Sequence, residues 1–186
     1  MLDQTIRRVV ITGPESTGKS VLAQALAETY NTQWIPEYAR EYVQNLDRPY
    51  NYDDVVQIAK HQIRQEETMA LKVGPGGILF FDTWLIITKV WFEVVFGKCP
   101  EWISTHLRSS KIDLFLVCST DLPWIADQVR ENGGEKREEL LEIYCREIGS
   151  FGFKFEIIEG IGSIRTENAI KALSAHGMNL RSVQVV

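Results

Sequence analysis

The stretch GPESTGKS, Gly13 to Ser20, fits the pattern G-x-x-x-x-G-K-[ST]. Residue types in that order suit the capture of an anion. Glycines let successive backbone N–H groups wrap a phosphate, and a helix that follows directs its positive end at the same place. Lys19 is expected to reach the β- and γ-phosphates, and the Ser20 hydroxyl to bind Mg²⁺. Gly13, Glu15, Ser16, Thr17, Gly18, Lys19, Ser20 and Val21 are the expected nucleotide-binding residues, with ATP and Mg²⁺ as cofactors. The competing reading is a plain Gly-rich turn. With Gly near 7% of residues, a chance match in such a chain is on the order of one in a hundred or less, which disfavours it.

Other residues could act on the bound phosphates. Asp82, in GILFFDTW, ends an apolar run and is expected to hold Mg²⁺ directly or through water; otherwise it caps the next helix. Glu37, in QWIPEYAREY, can accept the proton of an attacking hydroxyl, or merely complement a helix dipole. Arg40 can hold a phosphate or a substrate oxygen, or can be a surface cation. The run DLPWIADQVRENGGEKREEL carries Arg130, Lys136 and Arg137 around a Gly-Gly hinge. It reads as a lid over about residues 121–137 that neutralises transferring charge, with Arg130 and Arg137 as its catalytic cations because Arg forks fit phosphate. Its competitor is a solvated charge run. Tyr38, Tyr42, Trp84 and Trp124 are expected near the same loops, where two could sandwich a flat, cationic ring. Tyr38, Trp84 and Trp124, with Glu37, Arg40 and Asp82, form the expected acceptor site. Trp91 and Trp102 are assigned to packing, and His61, His106 and His176 show no catalytic or metal spacing.

Strands are expected at Val9–Thr12, Gln33–Pro36, Ile78–Phe81, Leu114–Cys118 and Phe153–Ile158. Helical spacing is expected over Lys19–Tyr30, 37–46, Asp53–Leu71, Thr83–Phe96, Glu135–Ile148 and from Ser163 onward. Their alternation predicts an α/β fold, a five-stranded parallel sheet with helices on both faces. Ligands then sit at the carboxyl ends of the strands, where Gly13–Ser20, Glu37 and Asp82 fall. The tail after Gly177 has no assignment.

The 186 residues are read as one domain, 45% hydrophobic and 24% charged. A net charge of −5 without a basic stripe argues against a nucleic-acid partner. Cys99, Cys118 and Cys145 make no C-x-x-C pair, so neither a disulfide framework nor a zinc site is expected. MLDQTIRR lacks a signal peptide's apolar stretch, and WLIITKVWFEVVFG, broken by Lys89 and Glu93, is too short to span a bilayer. The expected location is the cytoplasm; nothing sets an oligomeric state. No N-K-x-D guanine motif occurs, and a motor or AAA+ ATPase would need a longer chain. A small P-loop domain with a late basic segment points to a small-molecule kinase. A nucleotide-dependent switch or binding module is the alternative, disfavoured by Glu37 and the lid.

GPESTGKS, WIPEYAREY, FFDTWLIITKVWFEVVFG and DLPW together resemble the ribosylnicotinamide kinase domain of NadR-type NAD-biosynthesis regulators, from about Arg8 to the last helix. Many families share the first block; PEYAREY and FDTWL are more specific. The resemblance implies a fold similar to nucleoside and nucleoside-monophosphate kinases. It implies transfer of the ATP γ-phosphoryl to the ribose 5′-hydroxyl of nicotinamide riboside, giving nicotinamide mononucleotide. The pyridinium cation of that acceptor suits the aromatic residues; another nucleoside or vitamin-like alcohol is the runner-up. The adenylyltransferase domain and DNA-binding module of larger members are not expected in these residues.

Overall fold

The computed structural model describes residues 5–125 and 134–180. Five strands, β1 (Arg7–Thr12), β2 (Gln33–Ile35), β3 (Ile78–Asp82), β4 (Leu114–Cys118) and β5 (Phe155–Ile158), form one sheet in the order β2-β3-β1-β4-β5. Every pairing is parallel. The three inner strands are near-continuous apolar runs because both faces of the sheet are covered. Register aligns the carboxyl ends: Ile11 pairs with Asp82, Thr12 with Val117, Ile35 with Phe81 and Cys118 with Ile158.

The two-residue strand period divides the core. Val9, Ile11, Phe80, Leu114 and Leu116 face α1 (Lys19–Thr29) and α7 (Ser163–Ala175), where Leu22, Leu26, Ala169 and Leu173 meet them. Val10, Phe81, Phe115 and Val117 face the other layer, built from α3 (Tyr52–Ala70), α4 (Leu85–Phe96), α5 (Glu101–Ser109) and α6 (Glu135–Ser150). The short α2 (Tyr38–Gln44) packs on α3. Lys89, the charge inside the most apolar run, is 7% exposed and donates to Glu93 at 2.6 Å and to Glu147 of α6 at 2.7 Å. Its charge ties two helices together.

Two differences from the sequence-based expectation have local causes. Helix α5 was not expected: it is nine residues long, and only Ile103 and Leu107 mark its buried face. Helix α4 starts at Leu85 rather than Thr83 because Thr83 has φ 64°, outside the helical region, and donates its N–H back to Ile11 O at 2.9 Å. The thiols of Cys99, Cys118 and Cys145 are unpaired. Among the described residues no helix is long and apolar enough to cross a membrane.

Candidate active site

The loop between β1 and α1 carries the phosphate-binding pattern. Gly13 has φ +135°, and a Cβ there would lie 2.7 Å from Cys118 O, so the loop turns against the end of β4 only with glycine. Gly18, left-handed, stands at the N-cap of α1; no side chain caps that end and no acidic residue follows in the first turn. The first N–H groups of the helix therefore remain available to an anion. The Lys19 ammonium donates to Pro14 O at 2.8 Å, as does the Thr17 hydroxyl. Ser16, expected to face phosphate, exchanges hydrogen bonds with the backbone of Ile125: its hydroxyl donates to the carbonyl at 3.2 Å and accepts from the N–H at 3.1 Å.

Asp82 ends β3 beside that loop and is 2% exposed, and its Oδ1 has no hydrogen-bond partner. Burial, followed by the charge of Glu37, pushes its carboxyl up to about 6; a hydrogen bond from Ser20 and the charges of Lys19 and Arg40 oppose this. No side chain caps α4, so the helix-cap reading of Asp82 falls away. An orphaned carboxylate oxygen beside a hydroxyl suits Mg²⁺, which favours oxygen ligands and completes its shell with phosphate and water. Among the described residues no group of three or more His, Cys, Asp or Glu could hold a metal by itself.

A cleft of about 380 Å³ opens here. The phosphate loop, Glu37, Arg40 and Thr83 line it together with Tyr50, Trp91, Leu140 and Tyr144. Glu37 is half-buried at the N-cap of α2, and its side chain caps nothing. Thr88 and Gln62 add a polar strip to the wall, the Thr88 hydroxyl donating to Gln62 Oε1 at 2.8 Å.

Other expected site residues lie elsewhere. Trp84 is 1% exposed and sits in the core edge-on to Phe81, with ring centroids 6.3 Å apart. Tyr38 stacks on His61 at 3.6 Å, and Tyr42 donates to Asp54 at 3.1 Å; both join α2 to α3 and neither lines the cleft. Trp124 is half-buried and also off the cleft wall. Arg137 is 6% exposed and donates to Leu122 O at 2.9 Å and Thr120 O at 3.3 Å; Lys136 lines the cleft instead. Arg130 and residues 126–133 of the expected lid lie outside the described residues. The cleft aromatics are Tyr144, Trp91, assigned to packing on sequence, and Tyr50, which meets Trp91 edge-on with ring centroids 4.8 Å apart. A signal existed: Thr88, Trp91 and Val95 recur at i, i+3 and i+7 along α4 and share one face.

Among relatives, the chain is 29% identical over 132 residues to the trifunctional NAD biosynthesis/regulator protein NadR of Salmonella typhimurium, covering 69% of this chain and 32% of that protein. It thus spans about a third of the length of the curated relatives it matches. Crystal structures of NadR in complex with NR, and with NAD and AMP-PNP, superpose with TM-scores of 0.75 and 0.73 at 25% identity. They cover 96% and 97% of this chain and 52% and 51% of theirs. Thymidylate kinase from Ehrlichia chaffeensis shares the fold alone, at TM-score 0.64 and 13% identity, over 90% of this chain and 98% of that one. The expected five-stranded parallel α/β fold, shared with P-loop nucleoside and nucleotide kinases, and the relation to NadR are thus both observed. With the family described as AAA domain matching residues 8–166, the chain belongs to that family.

Proposed function

We propose that the protein is an ATP-dependent kinase that phosphorylates the ribose 5′-hydroxyl of nicotinamide riboside, giving nicotinamide mononucleotide for NAD salvage. The observation that carries this reading is the continuity of one cleft. Its wall holds the uncapped N-terminus of α1, Glu37, and the aromatic pair Tyr50 and Trp91. Homology to NadR, one structure of which contains NR, supports the choice of acceptor.

The N–H groups of Gly13–Ser20 would cradle the phosphates, and Lys19 would exchange Pro14 O for phosphate oxygen. Mg²⁺, held by Ser20 and Asp82, would neutralise charge on the phosphate oxygens. The 5′-hydroxyl forms a bond to Pγ as the bond from Pγ to the departing ADP oxygen breaks. Glu37 takes the hydroxyl proton, since Asp82 is committed to the metal. Arg40 would steady a phosphate or ribose oxygen. Tyr50 and Trp91 line the cleft where the cationic pyridinium would lie, a charge that favours a π-face over a ring edge. In this reading residues 1–186 act as one kinase domain with a closing segment at 121–137. The unpaired thiols suit a reducing cytoplasm.

The test is ADP release with Mg-ATP and a panel of acceptors: nicotinamide riboside, other nucleosides and vitamin-like alcohols. Nicotinamide riboside should give the highest kcat/KM, and a mass increase of one phosphoryl group. A higher value for another alcohol would reassign the acceptor. ATP binding without turnover on any alcohol would favour a nucleotide-dependent switch.

A further inference from the structure

Three loops meet behind the phosphate cradle on one side chain. Arg165, in the first turn of α7, is 3% exposed and does not line the cleft. Its Nε donates to Gly160 O at 2.7 Å, its Nη1 to the Thr17 carbonyl, and its Nη2 to the Asp121 carboxylate. The other Asp121 oxygen accepts from the Gly160 N–H at 2.6 Å. Gly160 permits this approach: it has φ +106°, and a Cβ there would lie 2.8 Å from Ile164 Cγ2 and 3.1 Å from the Arg165 nitrogen. One carboxylate and two carbonyls thus match a buried cation, so removing the cation leaves the buried Thr17 carbonyl without this donor.

The Thr17 contact bears on the ligand. A trans peptide unit carries its C=O and its N–H on opposite sides. Thr17 and Gly18 line the cleft, whereas Arg165 is buried outside its lining. Drawing the Thr17 carbonyl back to Arg165 therefore turns the Gly18 N–H forward, into the hollow that receives the anion. We infer that Arg165, with Asp121, is a positioning residue for phosphate binding. The pair fixes the Thr17–Gly18 peptide and ties the cradle to the segments that follow β4 and β5. The inference rests on nucleotide binding by Gly13–Ser20 and is independent of the acceptor.

Two probes read it directly by calorimetry on the full chain: ADP, and tripolyphosphate, which has no base or sugar. Arg165→Met should weaken both by about tenfold or more, as expected for a lost charge-assisted hydrogen bond. Arg165→Lys should recover part of that loss, and the acceptor KM at saturating ATP should stay within about twofold of wild type, since no acceptor-facing group has changed. A purely structural role would instead lower Tm and leave both affinities unchanged at temperatures where the variant is folded, which overturns the inference. Weaker ADP binding with unchanged tripolyphosphate binding also overturns it, because the effect would then lie in the nucleoside half. Should Arg165→Met not fold, Asp121→Asn keeps both carbonyl contacts and loses only the paired charge. It should weaken tripolyphosphate by about threefold or more, and no change there is equally fatal. Failure of the wild-type chain to bind ADP would remove the phosphate-loop reading and this inference together. Failure to phosphorylate nicotinamide riboside would leave the inference standing.

Discussion

The buried carboxyl of Asp82 and the half-buried carboxylate of Glu37 act on each other across the phosphate end of the sheet. Burial first, and the charge of Glu37 second, hold Asp82 at a pKa of about 6. This arrangement is poor for the empty protein and good for a cation. A carboxyl whose folded pKa lies above its unfolded value stabilises the fold below the unfolded value and loses that contribution as pH rises through the folded one. From the ordinary 3.8 to about 6, the loss is about 3 kcal/mol. Asp82→Asn should therefore raise the Tm of the metal-free protein at pH 8 by several degrees, at about 2–4 °C per kcal/mol for a chain of this size. The advantage should vanish below pH 4. Melting curves across pH check this; a lower Tm for the variant at pH 8 would contradict it.

The same carboxyl sets the metal's pH dependence. Protons and Mg²⁺ compete for Asp82, so the half-saturating Mg²⁺ concentration should fall as pH rises through about 6 and then level off. In Asp82→Asn the requirement should be higher and flat over that range. Rates measured against Mg²⁺ from pH 5 to 8 decide it; the same slope in both proteins would place the metal elsewhere.

Trp91 and Tyr50 should govern the acceptor and not ATP. Trp91→Ala should raise the KM for nicotinamide riboside about five- to thirtyfold, the loss expected for a partly desolvated cation–π contact. The KM for ATP should change little. Trp91→Phe, which keeps a π-face, should fall between. Equal effects on both substrates would return Trp91 to a packing role.

Arg137 donates to the carbonyls of Leu122 and Thr120 rather than to the cleft. Arg137→Met leaves both carbonyls without this donor, at about 1–3 kcal/mol each if they stay unpaired. A lower Tm with a less than tenfold change in kcat is expected. A loss of a hundredfold or more in kcat at unchanged Tm would return Arg137 to the phosphates.

The chemistry nearest the backbone was the most legible in the sequence. Gly13, Lys19 and Ser20 are constrained by one loop, and Asp82 by the strand it ends, so spacing alone located them. The acceptor wall was harder to read. Trp84 and Trp91 are seven residues apart on the same hydrophobic run, yet only the turn at Thr83 and the packing of α4 decide which enters the core. Tyr38 was placed near the cleft because it follows β2, but His61 of α3 draws it away. Arg137 carried the right charge at the right distance along the chain, but its guanidinium donates to two carbonyls of the segment after β4 instead. Arg165 gave no sequence signal, because its partners lie 5, 44 and 148 residues away.

The most direct measurement is formation of nicotinamide mononucleotide by wild type and by Glu37→Gln, followed by mass spectrometry with ATP affinity determined in parallel. Wild type should yield one nicotinamide mononucleotide per ADP. Glu37→Gln should lower kcat by about 10²- to 10⁴-fold, the usual contribution of a general base, with ATP affinity nearly unchanged. ADP release by wild type without nicotinamide mononucleotide would contradict the assigned acceptor. Full-rate turnover by Glu37→Gln would contradict the assigned base.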